Sequence, residues 1–174
     1  AMSALQARGL SSSQLSTLNT DDLASLSATT FAGLSSTALK GLDVTQVGSL
    51  TAADIVAMSV GQLQSLSSTQ LSGLTSTQSA KLSGQLLGAI TTDKLQSLTT
   101  TSLAAVTVAA LAGLTSTQVG ALSTSQIKAL TTLQAGGLSV QQAAGLTTSQ
   151  ASALESQDIG GLSATAVRGL TTQL

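Results

Sequence analysis

The sequence predicts an all-α protein, a superhelical repeat array (solenoid) that contains one short capped helix in every eight residues. Leu, or once each Ile and Val and twice Met, occupies every eighth position from Met2 to Leu170. The next position is Ser or Thr at most of the 22 sites, with Asn19, Asp43 and Glu155 as the exceptions. Gln follows three residues later at eleven of the 22 sites. An unbroken period of this kind requires copies of one structural unit to stack on each other.

We number the eight-residue unit from its Leu, and this first position is apolar throughout the chain. The segment 114–121 (LTSTQVGA) is a clean copy of the unit. An apolar side chain that recurs at a fixed phase is expected to face the interior of a repeat array. The predicted core residues are Leu10, Leu18, Leu26, Leu34, Leu66, Leu74, Leu114, Leu122 and Leu130.

The second position carries a short side chain with an oxygen atom, and Asn and Asp replace Ser and Thr there. All four side chains can accept a hydrogen bond from a backbone N–H two or three residues further on, as a helix N-cap requires. A β-ladder would not favour Asn or Asp. The predicted helix caps are Asn19, Asp43, Ser67, Thr75, Thr115 and Ser123.

The fifth position, where Gln is most frequent, has the spacing of a capping box. In Ser67-Ser68-Thr69-Gln70, the hydroxyl of Ser67 would accept the N–H of Gln70, and the Gln70 side chain would accept the N–H of Ser67. Two backbone donors at the start of each helix would thereby be satisfied.

The sixth position is again apolar, and the next Leu follows three residues later, which is the spacing of one helical face. Eight residues rotate an ideal helix about 80° past two full turns, so one straight helix cannot keep the leucines on one side. The chain must therefore kink once per unit. The eighth position is Gly, Ala, Ser or Thr except at Lys81. Gly at this position would suit a helix end or a close approach of two backbones.

No linker, charge run or change of composition divides the sequence. We therefore interpret residues 1–174 as a single array of about 21 octapeptide repeats. Solenoids usually carry polar terminal repeats, which this sequence lacks, so we expect it to be a fragment of a longer array or a unit that stacks end to end.

A β-solenoid is the alternative architecture. Each octapeptide would form one side of a coil, and the Thr residues would form ladders along its faces. Abundant Thr and Gly favour this alternative, whereas the Asn and Asp substitutions and the capping-box spacing oppose it.

Composition excludes most chemistry. The chain has no His, Cys, Trp or Tyr, so the usual general bases, thiolate nucleophiles and zinc ligands are missing. The acidic pairs Asp21 with Asp22 and Glu155 with Asp158 do not recur with the repeat, which argues against an array of calcium sites. We predict no enzymatic activity and no catalytic, metal-binding or cofactor-binding residues.

Charge and hydropathy also limit the partners. Lys and Arg total six and the net charge is −1, so nucleic-acid binding is not expected. No apolar run approaches the roughly 20 residues that a membrane-spanning helix requires, so a membrane span is not expected either. The remaining candidates are neighbouring repeats, end-to-end self-association and a surface or glycan ligand.

The unit Leu-Ser/Thr-x-x-Gln-Val/Leu/Ile-x-Ala/Gly resembles the repeat arrays of large secreted or surface-attached bacterial proteins that are described as adhesin-like. The resemblance covers nearly every unit. It implies a non-enzymatic structural region, an extended spacer or scaffold, located outside the cell or on the bacterial surface.

A second functional hypothesis comes from hydroxyl runs that recur in the same phase, at residues 99–102, 123–125 and 147–149. A solenoid would display them as a stripe along one edge. Such a stripe would suit a module that binds a glycan, a mineral or ice.

Overall fold

The computed structural model describes residues 2–154 and 156–170, and the regular structure of these residues is helical, with no strand. The prediction of an all-α repeat array is confirmed. The β-solenoid alternative is wrong, because the second-position side chains cap helices instead of forming ladders.

Each helix has four to seven residues and lies within one octapeptide, except that α21 extends to the Leu that follows it. The helices are α1 Ala4–Arg8, α2 Ser12–Ser16, α3 Thr20–Ala24, α4 Ala28–Ala32, α5 Ser36–Leu39, α6 Val44–Ser49, α7 Ala52–Ala57, α8 Val60–Ser65, α9 Ser68–Ser72, α10 Ser76–Ser79, α11 Gly84–Gly88, α12 Thr92–Leu95, α13 Thr100–Ala105, α14 Val108–Leu111, α15 Ser116–Ala121, α16 Thr124–Lys128, α17 Thr132–Gly136, α18 Val140–Ala144, α19 Thr148–Ala151, α20 Ser156–Gly161 and α21 Ala164–Leu170.

Extended residues between consecutive helices produce the kink. Between α8 and α9, Leu66 has φ −65° and ψ 139°, and Ser67 has φ −73° and ψ 164°. Val106 and Leu122 adopt the same extended conformation as Leu66. The Leu side chain turns into the interior while the cap begins the next helix. Since this geometry recurs along the chain, the backbone changes direction at regular intervals and closes into coils.

Three helices complete one coil. Each helix packs against the helix three places further along the chain, so that α1 lies on α4, α2 on α5 and α3 on α6. A coil therefore consists of three octapeptides, and the helices form three columns that run along the superhelix. The first column is α1, α4, α7, α10, α13, α16 and α19; the second begins with α2 and the third with α3.

A single apolar core, aliphatic except for Phe31, runs through the coils. Of the predicted core residues, Leu34, Leu66, Leu74, Leu114, Leu122 and Leu130 are buried. Leu10, Leu18 and Leu26 are only partly buried against the core. They follow the three helices of the first coil, which another described coil covers on one side only.

Glycine at the eighth position permits close contact between coils. A Cβ atom on Gly41 would overlap the backbone of Ser12, and a Cβ atom on Gly113 would overlap the backbone of Gly84. In both pairs the partner lies one coil earlier in the chain. No glycine of the described residues has a positive φ. These glycines therefore serve the approach of backbones and not a left-handed helix end.

Replacing Gly41 by Ala should destabilise the fold by roughly 3 kcal/mol, because the backbone of Ser12 cannot move aside as a flexible side chain could. Gly160→Ala is the matched control, since no atom lies within 4 Å of a Cβ at that position. The control should be neutral or stabilising by up to about 1 kcal/mol. Thermal unfolding followed by circular dichroism measures both changes, and equal melting temperatures for the two variants would contradict the close-approach explanation.

Candidate functional site

The Gln side chain at the fifth position lies at the corner where two helices of the preceding coil meet. Its side-chain oxygen completes the capping box of its own helix. In α16 the N–H of Ser123 donates to Oε1 of Gln126 at 2.9 Å, and the N–H of Gln126 donates to Oγ of Ser123 at 3.1 Å. Gln126 is buried with 2% exposure, so the other end of its amide also needs partners.

Those partners are carbonyl groups of the preceding coil. Nε2 of Gln126 donates to the carbonyl oxygen of Leu95 at 2.9 Å and to that of Leu98 at 2.8 Å. Leu95 is the last residue of α12, and Leu98 is the first-position residue that follows it. The last carbonyls of a helix have no partner within the helix. One Gln thus satisfies the start of its own helix and the end of another.

The same bond recurs in nine units of the described chain at one fixed sequence separation, which is 28 residues. The distances from Nε2 to the first-position carbonyl oxygen lie between 2.5 and 2.9 Å. The pairs are Gln46–Leu18, Gln62–Leu34, Gln70–Leu42, Gln78–Leu50, Gln118–Ile90, Gln126–Leu98, Gln134–Val106, Gln142–Leu114 and Gln150–Leu122. We call this bond the coil clasp.

Hydroxyl groups replace the amide in two of the described units. Oγ1 of Thr30 lies 2.8 Å from the carbonyl oxygen of Met2, and Oγ of Ser102 lies 2.6 Å from that of Leu74. Both separations are again 28 residues. An amide or a hydroxyl group at the fifth position can therefore form this bond, and Gln is the most frequent donor. Ala38, Leu86 and Ala110 occupy the same position without a side-chain donor.

The predicted caps all accept hydrogen bonds at helix starts. The side chains of Asn19, Asp43, Ser67, Thr75, Thr115 and Ser123 each accept the backbone N–H three residues further on. The capping box could be predicted from the sequence, but the coil clasp was missed. A signal that could have indicated it is the concentration of Gln at the fifth position, where an acidic side chain would serve the capping box equally well.

Asp54 occupies the fifth position in α7 and is fully buried. Its Oδ2 accepts from the N–H of Thr51 at 2.8 Å and from the hydroxyl of Thr51 at 2.7 Å. Its Oδ1 is buried without a partner. Unlike a Gln amide, this side chain has no N–H group to donate, and it forms no clasp with the carbonyl of Leu26, its counterpart in the preceding coil.

Serine and threonine side chains form one exposed edge of the superhelix. The first three residues from the caps of α10, α13, α16 and α19 are all Ser or Thr, at 75–77, 99–101, 123–125 and 147–149. All twelve residues are exposed. These four helices are stacked in the first column, so the runs follow one another at intervals of one coil. We call this surface the hydroxyl edge.

An open groove of about 460 Å³ lies beside α4 and α7 in the same column. It is lined by Ala28, Ala52, Ala53, Val56, Ala57 and Lys81. The lining is apolar apart from the one Lys, so the groove contains no pair of groups able to transfer a proton and no nucleophile beside a base.

Titratable side chains do not gather elsewhere in the part of the chain that the structure describes. No group of three or more His, Cys, Asp or Glu residues could hold a metal ion there. Glu155, one member of the acidic pair considered for calcium, lies outside the described residues. None of the described helices is long and apolar enough to cross a membrane.

Replacing Gln126 by Glu should lower the free energy of unfolding by about 3 kcal/mol or more. The Glu side chain keeps the capping-box acceptor but places a buried carboxylate against two carbonyl oxygens. Gln14→Glu is the matched control. Gln14 forms the same capping box with Ser11, is exposed, and donates no clasp to the described residues. Urea unfolding should show a larger decrease in the free energy of unfolding for Gln126→Glu than for Gln14→Glu. Similar decreases in both variants would show that the clasp adds no stability beyond that of the capping box.

Replacing Asp54 by Gln should stabilise the protein by about 1–3 kcal/mol, because the new amide removes an unpaired buried oxygen and can donate to Leu26. Asp22→Gln is the control, since Asp22 has the same repeat position but is exposed in the first coil. The melting temperature should rise for the first variant only. A lower melting temperature for Asp54→Gln would exclude a clasp at this corner.

The comparisons with known proteins agree with the repeat organisation. The ALTTAQ repeat family matches residues 52–84 and 100–132. Read as one-letter codes, the six letters of this name correspond to the eighth position of one unit and the first five positions of the next. They therefore include the Leu, the cap and the clasp Gln. Residues 129–134 (ALTTLQ) differ from the name at one letter. No curated protein matches the chain. Two segments of this helical array are thus similar to the ALTTAQ repeat.

Proposed function

We propose that the chain is a non-enzymatic structural repeat region that acts as an extended spacer or scaffold. The observation that carries this proposal is the coil clasp. Because successive coils bind each other through the same contacts, the length of the superhelix is set by the number of repeats and not by a closed core. Seven coils at a spacing of about 8–10 Å would give a rod roughly 50–70 Å long.

The absence of catalysis is part of this proposal and is supported by composition. Without His, Cys or Tyr, a reaction would depend on carboxylates, lysines or hydroxyls. Asp43 is engaged as a helix cap, and Asp54 is buried beneath the preceding coil. These roles account for the two carboxylates as parts of the fold.

The proposed location is the bacterial cell surface or the extracellular space, within an adhesin-like protein. The support is the resemblance of the repeat unit to such arrays and a composition with few charges, no Cys and abundant Ser, Thr and Gln. A rod that resists collapse without disulfides would suit this location, since its stability comes from repetition.

Deletion of one whole coil tests the spacer function. Removing the three units at 98–121 should leave a folded protein, because Gln126 would then meet the carbonyl of Leu74, which accepts from Ser102 in the parent chain. Small-angle X-ray scattering should show a maximum dimension shorter by about 8–10 Å.

The control deletion removes the segment 98–109, one and a half units, which breaks the octapeptide phase and should unfold the array. Unchanged length after the coil deletion, or globular scattering by the intact chain, would refute the spacer.

The hydroxyl edge favours a second function, binding to a glycan, a mineral or ice. Twelve exposed hydroxyl residues in four successive coils give a regular surface, whereas the second column has Val108 and Leu133 exposed at corresponding places. Thermal hysteresis and glycan-array binding would measure the activity. Thr101→Lys with Ser125→Lys should abolish it, and Leu133→Lys should not. Absence of both activities in the parent chain would leave the spacer function alone.

A further inference from the structure

The open groove beside α4 and α7 lies where the repeat pattern changes on the surface of the first column. Further along this column, α10, α13, α16 and α19 present the hydroxyl edge. In α7 the cap Thr51 is kept, but Ala52 and Ala53 replace the two hydroxyl residues that follow it. Both Ala residues line the groove, together with Ala28 of the preceding coil. The surface of the column therefore changes from polar to apolar between α10 and α7.

Val56 lines the groove with an exposed aliphatic side chain. It occupies the seventh position, which is Gly, Ala, Ser, Gln, Lys or Arg in every other complete unit. Its side chain is 67% exposed, whereas those of Val44, Val108 and Val140 are 37% or 38% exposed. Removing this apolar surface from water would be favourable. A ligand that covers Val56 would gain that free energy.

Lys81 brings a positive charge to the same groove. It is the one residue at the eighth position that is not Gly, Ala, Ser or Thr, and it corresponds to Ala57 one coil earlier. The Lys81 side chain is exposed, and no Asp or Glu lines the groove. Its Nζ forms no hydrogen bond or ion pair with the described residues. In contrast, Nζ of Lys94 donates to the carbonyl of Gln64 at 2.6 Å.

The chemistry of the lining indicates the class of ligand. An extended peptide would bring its own N–H and C=O groups into the groove, where Lys81 is the one polar side chain able to pair with them. An alkyl chain has no such groups, so it would cover Val56 and the Ala side chains without leaving polar atoms unpaired. A single ammonium group matches a carboxylate better than a phosphate group, which carries nearly two charges at neutral pH.

We propose that this groove binds a fatty acid, with the alkyl chain against Val56 and the Ala side chains and the carboxylate at Lys81. The groove volume of about 460 Å³ lies within the range of small-molecule sites. The alkyl chain supplies affinity by removing apolar surface from water, and the ion pair with Nζ supplies the preference for an anion. The site is separate from the hydroxyl edge and does not depend on the spacer function.

NMR titration of the isotope-labelled chain with decanoate, below its micelle-forming concentration, tests the site. The comparison ligand is decyltrimethylammonium, which has an alkyl chain of similar length and a positive charge. The amide signals of Ala53, Val56 and Lys81 should shift with decanoate, whereas that of Thr101 should not. The parent chain should bind decanoate at least about threefold more tightly than decyltrimethylammonium, as expected for one exposed charge.

Charge reversal at Lys81 gives the sharpest outcome. Lys81→Glu should bind decyltrimethylammonium at least about threefold more tightly than decanoate, which reverses the preference of the parent chain. Lys128→Glu is the matched control, because Lys128 is also exposed and ends α16 in the same column, outside the groove. This control should keep the parent preference. Circular dichroism should show that both variants remain helical, since both side chains are exposed.

A second pair of variants tests the apolar part of the groove. Ala53→Gln places a larger, polar side chain in the groove, keeps a good helix former, and should weaken the binding of both ligands at least about threefold. Thr101→Gln is its control, because Thr101 has the same repeat position two coils later and is exposed. The control should bind both ligands as the parent chain does.

Three results would overturn the fatty-acid site: no shifts at the groove residues, the same ligand preference in both charge-reversed variants, or unchanged binding by Ala53→Gln. A parent chain that dimerises, and that Val56→Gln makes monomeric, would assign the groove to a second copy of this chain and would also overturn it. The length of the rod does not enter any of these measurements, so this proposal and the spacer function fail separately.

Discussion

The backbone hydrogen-bond requirement of very short helices governs this structure. An α-helix leaves four N–H and four C=O groups without partners inside itself, so a helix of about five residues satisfies almost none of its own groups. Such helices would be unstable alone. At most of the described helix starts a short cap side chain supplies a partner, although Thr91 at the start of α12 does not. Where the fifth residue is Gln, its amide supplies a second partner there, and the clasp supplies partners at the end of another helix. Burial of the leucines then adds stability to a backbone that is already paired.

The local part of this arrangement could be predicted from the sequence. A cap such as Ser67 and its partner Gln70 are three residues apart, and the physics that joins them acts within one turn. The clasp joins Gln70 to Leu42, and nothing in a single unit indicates which earlier coil lies beneath it. To identify the clasp partner, one must know the number of units per superhelical turn. The number depends on how the extended residues between helices orient the next axis, which the residue pattern does not determine.

Glycine illustrates a second limit. The residue pattern allows both a helix end and a close backbone approach at the eighth position, and only the structure distinguishes them. Gly41 lacks a positive φ but lies against the backbone of Ser12, one coil away. Ser79 is another departure from the repeat pattern. It occupies a core position, and its buried hydroxyl group has no hydrogen-bond partner. Asp54 and Ser79 each leave a buried oxygen atom without a hydrogen-bond partner, and we expect local unfolding to begin in the coils that contain them.

The three-helix coil has a consequence for how such an array can change in length. Gain or loss of one octapeptide lengthens or shortens the rod and also rotates everything beyond it by a third of a turn, in the manner of a screw thread. The hydroxyl runs would then be divided between two columns, and any attached domain would point in a new direction. Only changes by three units preserve orientation. If the orientation of an attached domain matters, selection would therefore favour changes of the repeat number by multiples of three, even where the length of the rod has no importance.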